Sequence, residues 1–204
     1  HTALGGGWGN KVIGGYDFVN GDNDPFDDYG HGTYTAGIIA SNNTTYRGLA
    51  PDAKIVAIKA LDSSGGGFES DAIAGLDWCV ANATQYNISA ISMSLGSTVL
   101  FNGYCDSSKS GYKTAINTAT ANNISVIAAT GNNGNISAMS APACIQNATS
   151  VSSTTKTDGI SSFSNRNNVT DLLAPGSSIT SSVPTGSCTL CSASGFSTQS
   201  GTSA

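Results

Sequence analysis

Apolar positions along this chain gather in short runs separated by glycine- and serine-rich stretches. Short apolar runs bounded by turn residues read as buried strands, whereas apolar positions recurring every three or four residues read as helices. Ala53–Leu61, which follows the turn Gly48-Leu49-Ala50-Pro51, predicts a strand. Ile88–Met93, Ile124–Ala129, Thr149–Ser153 and Asp171–Ala174 predict further strands. Ala36, Ile38, Ile39 and Ala40 mark a helix packed through small residues that begins near Thr33. Ser70 is placed as an N-cap, with Asp71 in the first turn of a helix running to about Ala83. Its Ile73, Leu76, Val80 and Ala83 share one face, and Tyr112–Ala121 predicts another helix. Trp78, Tyr86 and Phe163 read as core. Alternating strands and helices imply an α/β fold with a mainly parallel sheet, in which ligands collect at the carboxyl ends of strands. The loops after Met93 and Ala129 lie at such ends.

Composition narrows the picture. The 204 residues suit one domain, and 25 glycines with only 10% charged residues suit small, loop-rich packing. A net charge of −5 and no basic patch exclude nucleic acid as a natural partner. No apolar run approaches the ~20 residues of a membrane span, so no membrane partner is expected. The five cysteines are Cys79, Cys105, Cys144, Cys188 and Cys191. Cys188-x-x-Cys191 stands without a second pair or histidines, so zinc is not indicated. Cys105 with Cys144, and Cys188 with Cys191, are the candidate disulfides, leaving one thiol over. Asn-x-Ser/Thr occurs at Asn42, Asn43, Asn82, Asn87, Asn123, Asn135, Asn147 and Asn168, which favours a secreted protein.

The candidate chemistry centres on Gly30-His31-Gly32, because the only other histidine is His1. A neutral-pH proton acceptor is therefore His31 or nothing. A serine hydroxyl needs such a base before it can attack, and Ser203 lies between Thr202 and Ala204. Asn132, in Gly131-Asn132-Asn133-Gly134, could donate an amide to a developing oxyanion. Singly these residues have blander readings: a structural histidine, a turn asparagine and a linker serine. Asp17, Asp22, Asp24, Asp27 and Asp28 cluster ahead of His31, as a candidate calcium loop or a solvated polar loop.

In combination and order, these segments resemble the subtilisin-like serine peptidases. Gly30-His31-Gly32-Thr33-x-x-Ala36-Gly37 resembles the family's histidine motif, and Gly48-Leu49-Ala50-Pro51 the segment that follows it. Ser92-Met93-Ser94-Leu95-Gly96 resembles its substrate-binding strand, and Ala128-Ala129-Thr130-Gly131-Asn132 its oxyanion loop. Leu173-Ala174-Pro175-Gly176 and Gly201-Thr202-Ser203 resemble its later turn and the start of its nucleophile motif. The resemblance implies a three-layer αβα fold around a mainly parallel sheet. It implies that His31 is the general base, Ser203 the nucleophile and Asn132 the oxyanion donor. Ser94, Leu95 and Gly96 would then pair with an extended polypeptide substrate, and Gly96, Ala129, Thr130 and Gly131 would wall a roomy pocket. No cofactor is needed for that chemistry, structural calcium remains a candidate, and a monomer is expected.

Two departures stand out. Tyr34-Thr35 replaces the His-Val usual after the family's histidine motif. The family's triad aspartate, in Asp-Thr/Ser-Gly, has no counterpart here, and His1-Thr2-Ala3-Leu4 resembles the segment just after it. Residues 1–204 thus read as a partial peptidase domain without the aspartate strand or the helix after the nucleophile. By themselves they are expected to be nearly inactive, with Asp17 a poor substitute. The rivals are a catalytically dead relative binding proteins through Ser94–Gly96, and a calcium-binding structural domain centred on Asp22–Asp28.

Overall fold

The computed structural model describes residues 1–204. After a short 3-10 turn at Thr2–Leu4, the elements in chain order are β1 (Val12–Asp17), α1 (His31–Ala40), β2 (Ile55–Lys59) and α2 (Glu69–Ala81). There follow α3 (Ala83–Tyr86), β3 (Ala90–Met93), β4 (Leu100–Phe101), α4 (Ser110–Ala121) and β5 (Ser125–Ala129). The chain closes with β6 (Met139–Ser140), β7 (Thr149–Thr154), β8 (Leu172–Pro175), β9 (Ile179–Ser182) and β10 (Phe196–Gln199). Two compact units emerge: His1–Gly75 with Thr180–Thr198, and Leu76–Ile179 with Gln199–Ala204. The fold is α/β with parallel strand pairing, as the alternation of elements predicts.

In the first unit β1 runs parallel to β2, with Gly14 opposite Val56 and Asp17 opposite Lys59. Only Lys11-Val12-Ile13 hints at β1 in the sequence, because glycines interrupt its apolar pattern. Close packing is the reason for one of them: a Cβ at Gly15 would lie 2.1 Å from the Ala57 carbonyl oxygen. The acidic loop after β1 is held together by its own carboxylates. Asp17, fully buried, accepts from the N–H groups of Val19 (2.7 Å) and Asn20 (2.9 Å) and from the Asn20 side chain (2.9 Å). Lys59 Nζ lies 3.5 Å from Asp17 and 2.7 Å from Asp28. Asp22 accepts from the Asp24 N–H, while Asp27 turns to the start of α1. The five aspartates therefore do not converge, and no group of three or more His, Cys, Asp or Glu is arranged to hold a metal.

The second unit is built on a four-stranded sheet in the order β3-β5-β7-β8, parallel throughout. Its helix α4 buries Tyr112, Ala115, Ile116 and Ala119. Ile116, Ile124, Val126, Met139 and Ile145 form the apolar centre. Strand β7 is nearly all hydroxyl residues, yet Ser150, Ser152, Ser153 and Thr154 are buried. Side-chain hydrogen bonds make that tolerable: Ser152 donates to the Asn165 carbonyl at 2.7 Å, and Ser153 pairs with Ser161 at 2.9 Å.

The expected helices and strands appear within a few residues of their predicted bounds, with three corrections. The helix α2 begins at Glu69, and the Ser70 hydroxyl bonds Asp71 at 3.1 Å instead of capping a backbone N–H. Its most buried residues are Ala72, Leu76 and Cys79, one step round from the predicted stripe of Ile73, Leu76 and Val80. Trp78, Tyr86 and Phe163 are half-buried, and the Trp78 and Tyr86 rings stack at 5.8 Å. Both candidate disulfides form, Cys105–Cys144 and Cys188–Cys191. Burial pushes the remaining Cys79 thiol up to about 11, which leaves it unreactive.

Candidate active site

His31 opens α1 in the first unit, and a single carboxylate organises its surroundings. Asp27 Oδ1 accepts from the N–H groups of Tyr29 (3.2 Å) and Gly30 (2.7 Å). Its Oδ2 accepts from the Thr33 N–H (2.7 Å) and hydroxyl (2.6 Å). Asp27 thus binds the chain on both sides of His31 and supplies the acceptor that the exposed N–H groups of a helix start require. Nothing in the local sequence marks Asp27 among the five aspartates as this capping carboxylate. Burial pushes the His31 imidazole below its ordinary value, and the Asp27 charge offsets only part of that. Within this unit no carboxylate hydrogen-bonds the imidazole. Asp17, weighed as its substitute orienting partner, is consumed by Val19, Asn20 and Lys59.

The second unit brings Ser94, Asn132 and Ser203 into one bonded group. Asn132 Oδ1 accepts from the Thr202 N–H at 2.8 Å and the Thr202 hydroxyl at 3.0 Å. A backbone N–H can only donate, so the atom facing it must be the amide oxygen. The Asn132 NH2 therefore points away from Thr202, has no protein hydrogen-bond partner, and lies 3.4 Å from where a Cβ on Gly201 would stand. The Ser203 hydroxyl lies 3.4 Å from the Ser94 carbonyl, while the Ser94 hydroxyl donates to the Ser203 carbonyl at 3.2 Å. Thr202 Oγ1 also accepts from the Gly131 N–H at 3.0 Å, closing a ring from the loop after β5 to the serine turn.

Behind this group, the fully buried Asn165 fixes the loop after β5. Its Oδ1 accepts from the N–H groups of Asn133 (2.9 Å) and Asn135 (3.0 Å), and its Nδ2 donates to the Thr130 carbonyl (3.2 Å). Ala129 and Thr130 are buried at the end of β5, and Thr130 bonds Ser152. Gly96 faces Ser140, since a Cβ on Gly96 would lie 2.9 Å from that of Ser140. Ser140 also ties back to the end of β5, its N–H donating to the Thr130 carbonyl at 3.0 Å. Ser140 and Asn165 carry no local sequence signal, because their partners lie tens of residues away. Leu95 is half-buried beside Ser94.

The profile of the subtilase family matches residues 7–204. Thermitase of Thermoactinomyces vulgaris is 42% identical over 178 residues, covering 86% of this chain and 59% of that protein. Minor extracellular protease Epr of Bacillus subtilis (strain 168) is 35% identical over 173 residues, 84% of this chain and 25% of that one. The crystal structure of a cold adapted subtilisin-like serine proteinase superposes with a TM-score of 0.78 at 34% identity, covering all of this chain and 65% of the other. The chain thus spans less than two thirds of each of these proteins.

Proposed function

The chain belongs to the subtilase family, and we propose that it carries the base, nucleophile and oxyanion donor of a serine endopeptidase. In this reading His31 takes the proton from Ser203 Oγ as the serine attacks a peptide carbonyl, then passes it to the leaving amine. The Asn132 NH2, with the Ser203 N–H, stabilises the oxyanion of the tetrahedral intermediate. Water then hydrolyses the acyl-enzyme by the same sequence. Ser94, Leu95 and Gly96 hold the substrate as an added strand, and Gly96, Ala129, Thr130 and Gly131 line the pocket for the side chain before the scissile bond.

The observation that carries this reading is the orientation of Asn132. Thr202 engages its oxygen twice and leaves its NH2 unspent at the Gly201-Thr202-Ser203 turn. A merely structural turn asparagine would have no need of a free, fixed donor at a serine turn. The aspartate that orients the histidine comes, in this proposal, from outside residues 1–204, since Asp17 is committed elsewhere. The two cystines and the similarity to an extracellular protease support secretion.

A fluorophosphonate probe tests the assignment. The full-length protein should label at Ser203, and Ser203→Ala and His31→Ala should each abolish labelling. Absence of labelling in the full-length protein would overturn the peptidase reading. Residues 1–204 alone should label far more slowly, because loss of the orienting aspartate costs about 10⁴ in turnover.

A further inference from the structure

Resting on the reading of His31 as general base, we propose that the Cys188–Cys191 disulfide loop is a positioning element for that base, and that its reduction slows acylation. The loop sits on the residue before the histidine. Gly30 has a φ of 104°, and a Cβ there would lie 2.9 Å from Leu190 Cβ and 3.4 Å from Cys188 Sγ. The Leu190 N–H donates to the Tyr29 carbonyl at 3.0 Å. On the other side of His31, the hairpin that carries the loop grips α1. The hydroxyls of Ser181 and Ser182 donate to the carbonyls of Tyr34 (2.8 Å) and Thr33 (3.1 Å). One segment, residues 181–190, therefore holds the chain both before and after His31.

The cross-link is what keeps the near side of this grip in shape. Residues 185–195 are almost all Gly, Ser, Thr and Ala, and they cannot build an apolar core of their own. Leu190 and the cystine supply the loop's nonpolar contact with Gly30. Opening the disulfide frees Leu190 to leave the Gly30 backbone, so His31 would sample orientations that do not accept the serine proton. A misplacement of about 1 Å in such a group can cost ~10²-fold in rate.

Accessibility makes this bond selectively reducible. Cys188 and Cys191 are half-buried, next to the exposed Thr189, whereas Cys105 and Cys144 are 2% and 0% exposed. A small dithiol reductant delivers two electrons and two protons to the half-buried cystine. Two protein thiols form, and the dithiol closes to its own disulfide.

The test is made on the full-length protein under native conditions. After treatment with dithiothreitol and alkylation, peptide mapping should find the label on Cys188 and Cys191 but not on Cys105 or Cys144. Fluorophosphonate labelling of Ser203 and kcat should fall about tenfold or more, with KM for a short peptide unchanged and recovery on reoxidation. Cys188→Ala/Cys191→Ala should show the same loss without reductant and no further response to it. Should that variant fail to fold, Leu190→Gly, which keeps the cystine, should reproduce the fall in kcat. Rates within about twofold of the oxidised protein in the selectively reduced form, or in Leu190→Gly, would overturn the proposal. His31→Ala separates the two readings. If it retains activity, the base assignment itself fails; if it is dead while the reduced protein runs at full rate, only the positioning role fails.

Discussion

A side-chain amide decides little by itself; what matters at Asn132 is which end of it is spent. Thr202 takes the oxygen with two donors, so in the proposed mechanism the NH2 needs no rearrangement at the moment of reaction. Asn132→Ala in the full-length protein should lower kcat by about 10²–10³ while leaving KM for peptides nearly unchanged. A KM rise with constant kcat would instead mark Asn132 as a substrate-binding residue. Asn132 is recognisable from sequence because its motif is contiguous. Asn165 is not, although its side chain bonds three loop residues, because those contacts span some thirty positions.

Among the elements, the loop between β1 and α1 spreads its like charges over separate partners. Lys59, at the end of β2, lies opposite Asp17 in the parallel register and reaches Asp28 as well. Burial would raise the Asp17 carboxyl, but bonds from Asn20 and Val19 and the Lys59 charge hold it below its ordinary value. Lys59→Met leaves a buried carboxylate without its counter-charge, and should cost about 3 kcal/mol in chemical denaturation at neutral pH. Asp17 contributes stability above its unfolded value near 3.8 and loses it as pH falls through the lower folded value. The variant's deficit should therefore shrink in strong acid. Added calcium should leave the melting temperature of the unmodified chain unchanged. A rise would show that the carboxylates prefer a metal to Lys59.

At the scale of the whole molecule, the same acidic segment serves the histidine. Burial lowers the His31 value below 6.5, against the raising effect of Asp27. The sign follows directly: a charged imidazole is disfavoured in the folded chain, and removing Asp27's negative charge disfavours it further. With only two histidines, a proton NMR titration of residues 1–204 resolves His31 cleanly. Its apparent value should lie below 6.5, and Asp27→Asn should move it lower still. An upward move would mean that Asp27 acts on His31 through geometry rather than charge. In a longer protein with an aspartate on the imidazole, the value should rise.

What the sequence determined by itself is whatever contiguous residues can encode. The β3, β5, β7 and β8 strands, the helices α1 and α4, and the motifs around His31, Asn132 and Ser203 all follow from local pattern and order. Folding alone decided the partners. β1 becomes a strand because β2 pairs with it across its glycines, and the hydroxyl-rich β7 is buried because distant serines and Asn165 satisfy it. The spare aspartates became a helix cap and an ion pair, and a short cystine loop came to rest against Gly30. Hydrogen bonds and charges act over a few ångströms whatever the separation along the chain. Residue types and local spacing can therefore nominate a base or a donor, but only the fold shows which of its atoms remain free to act.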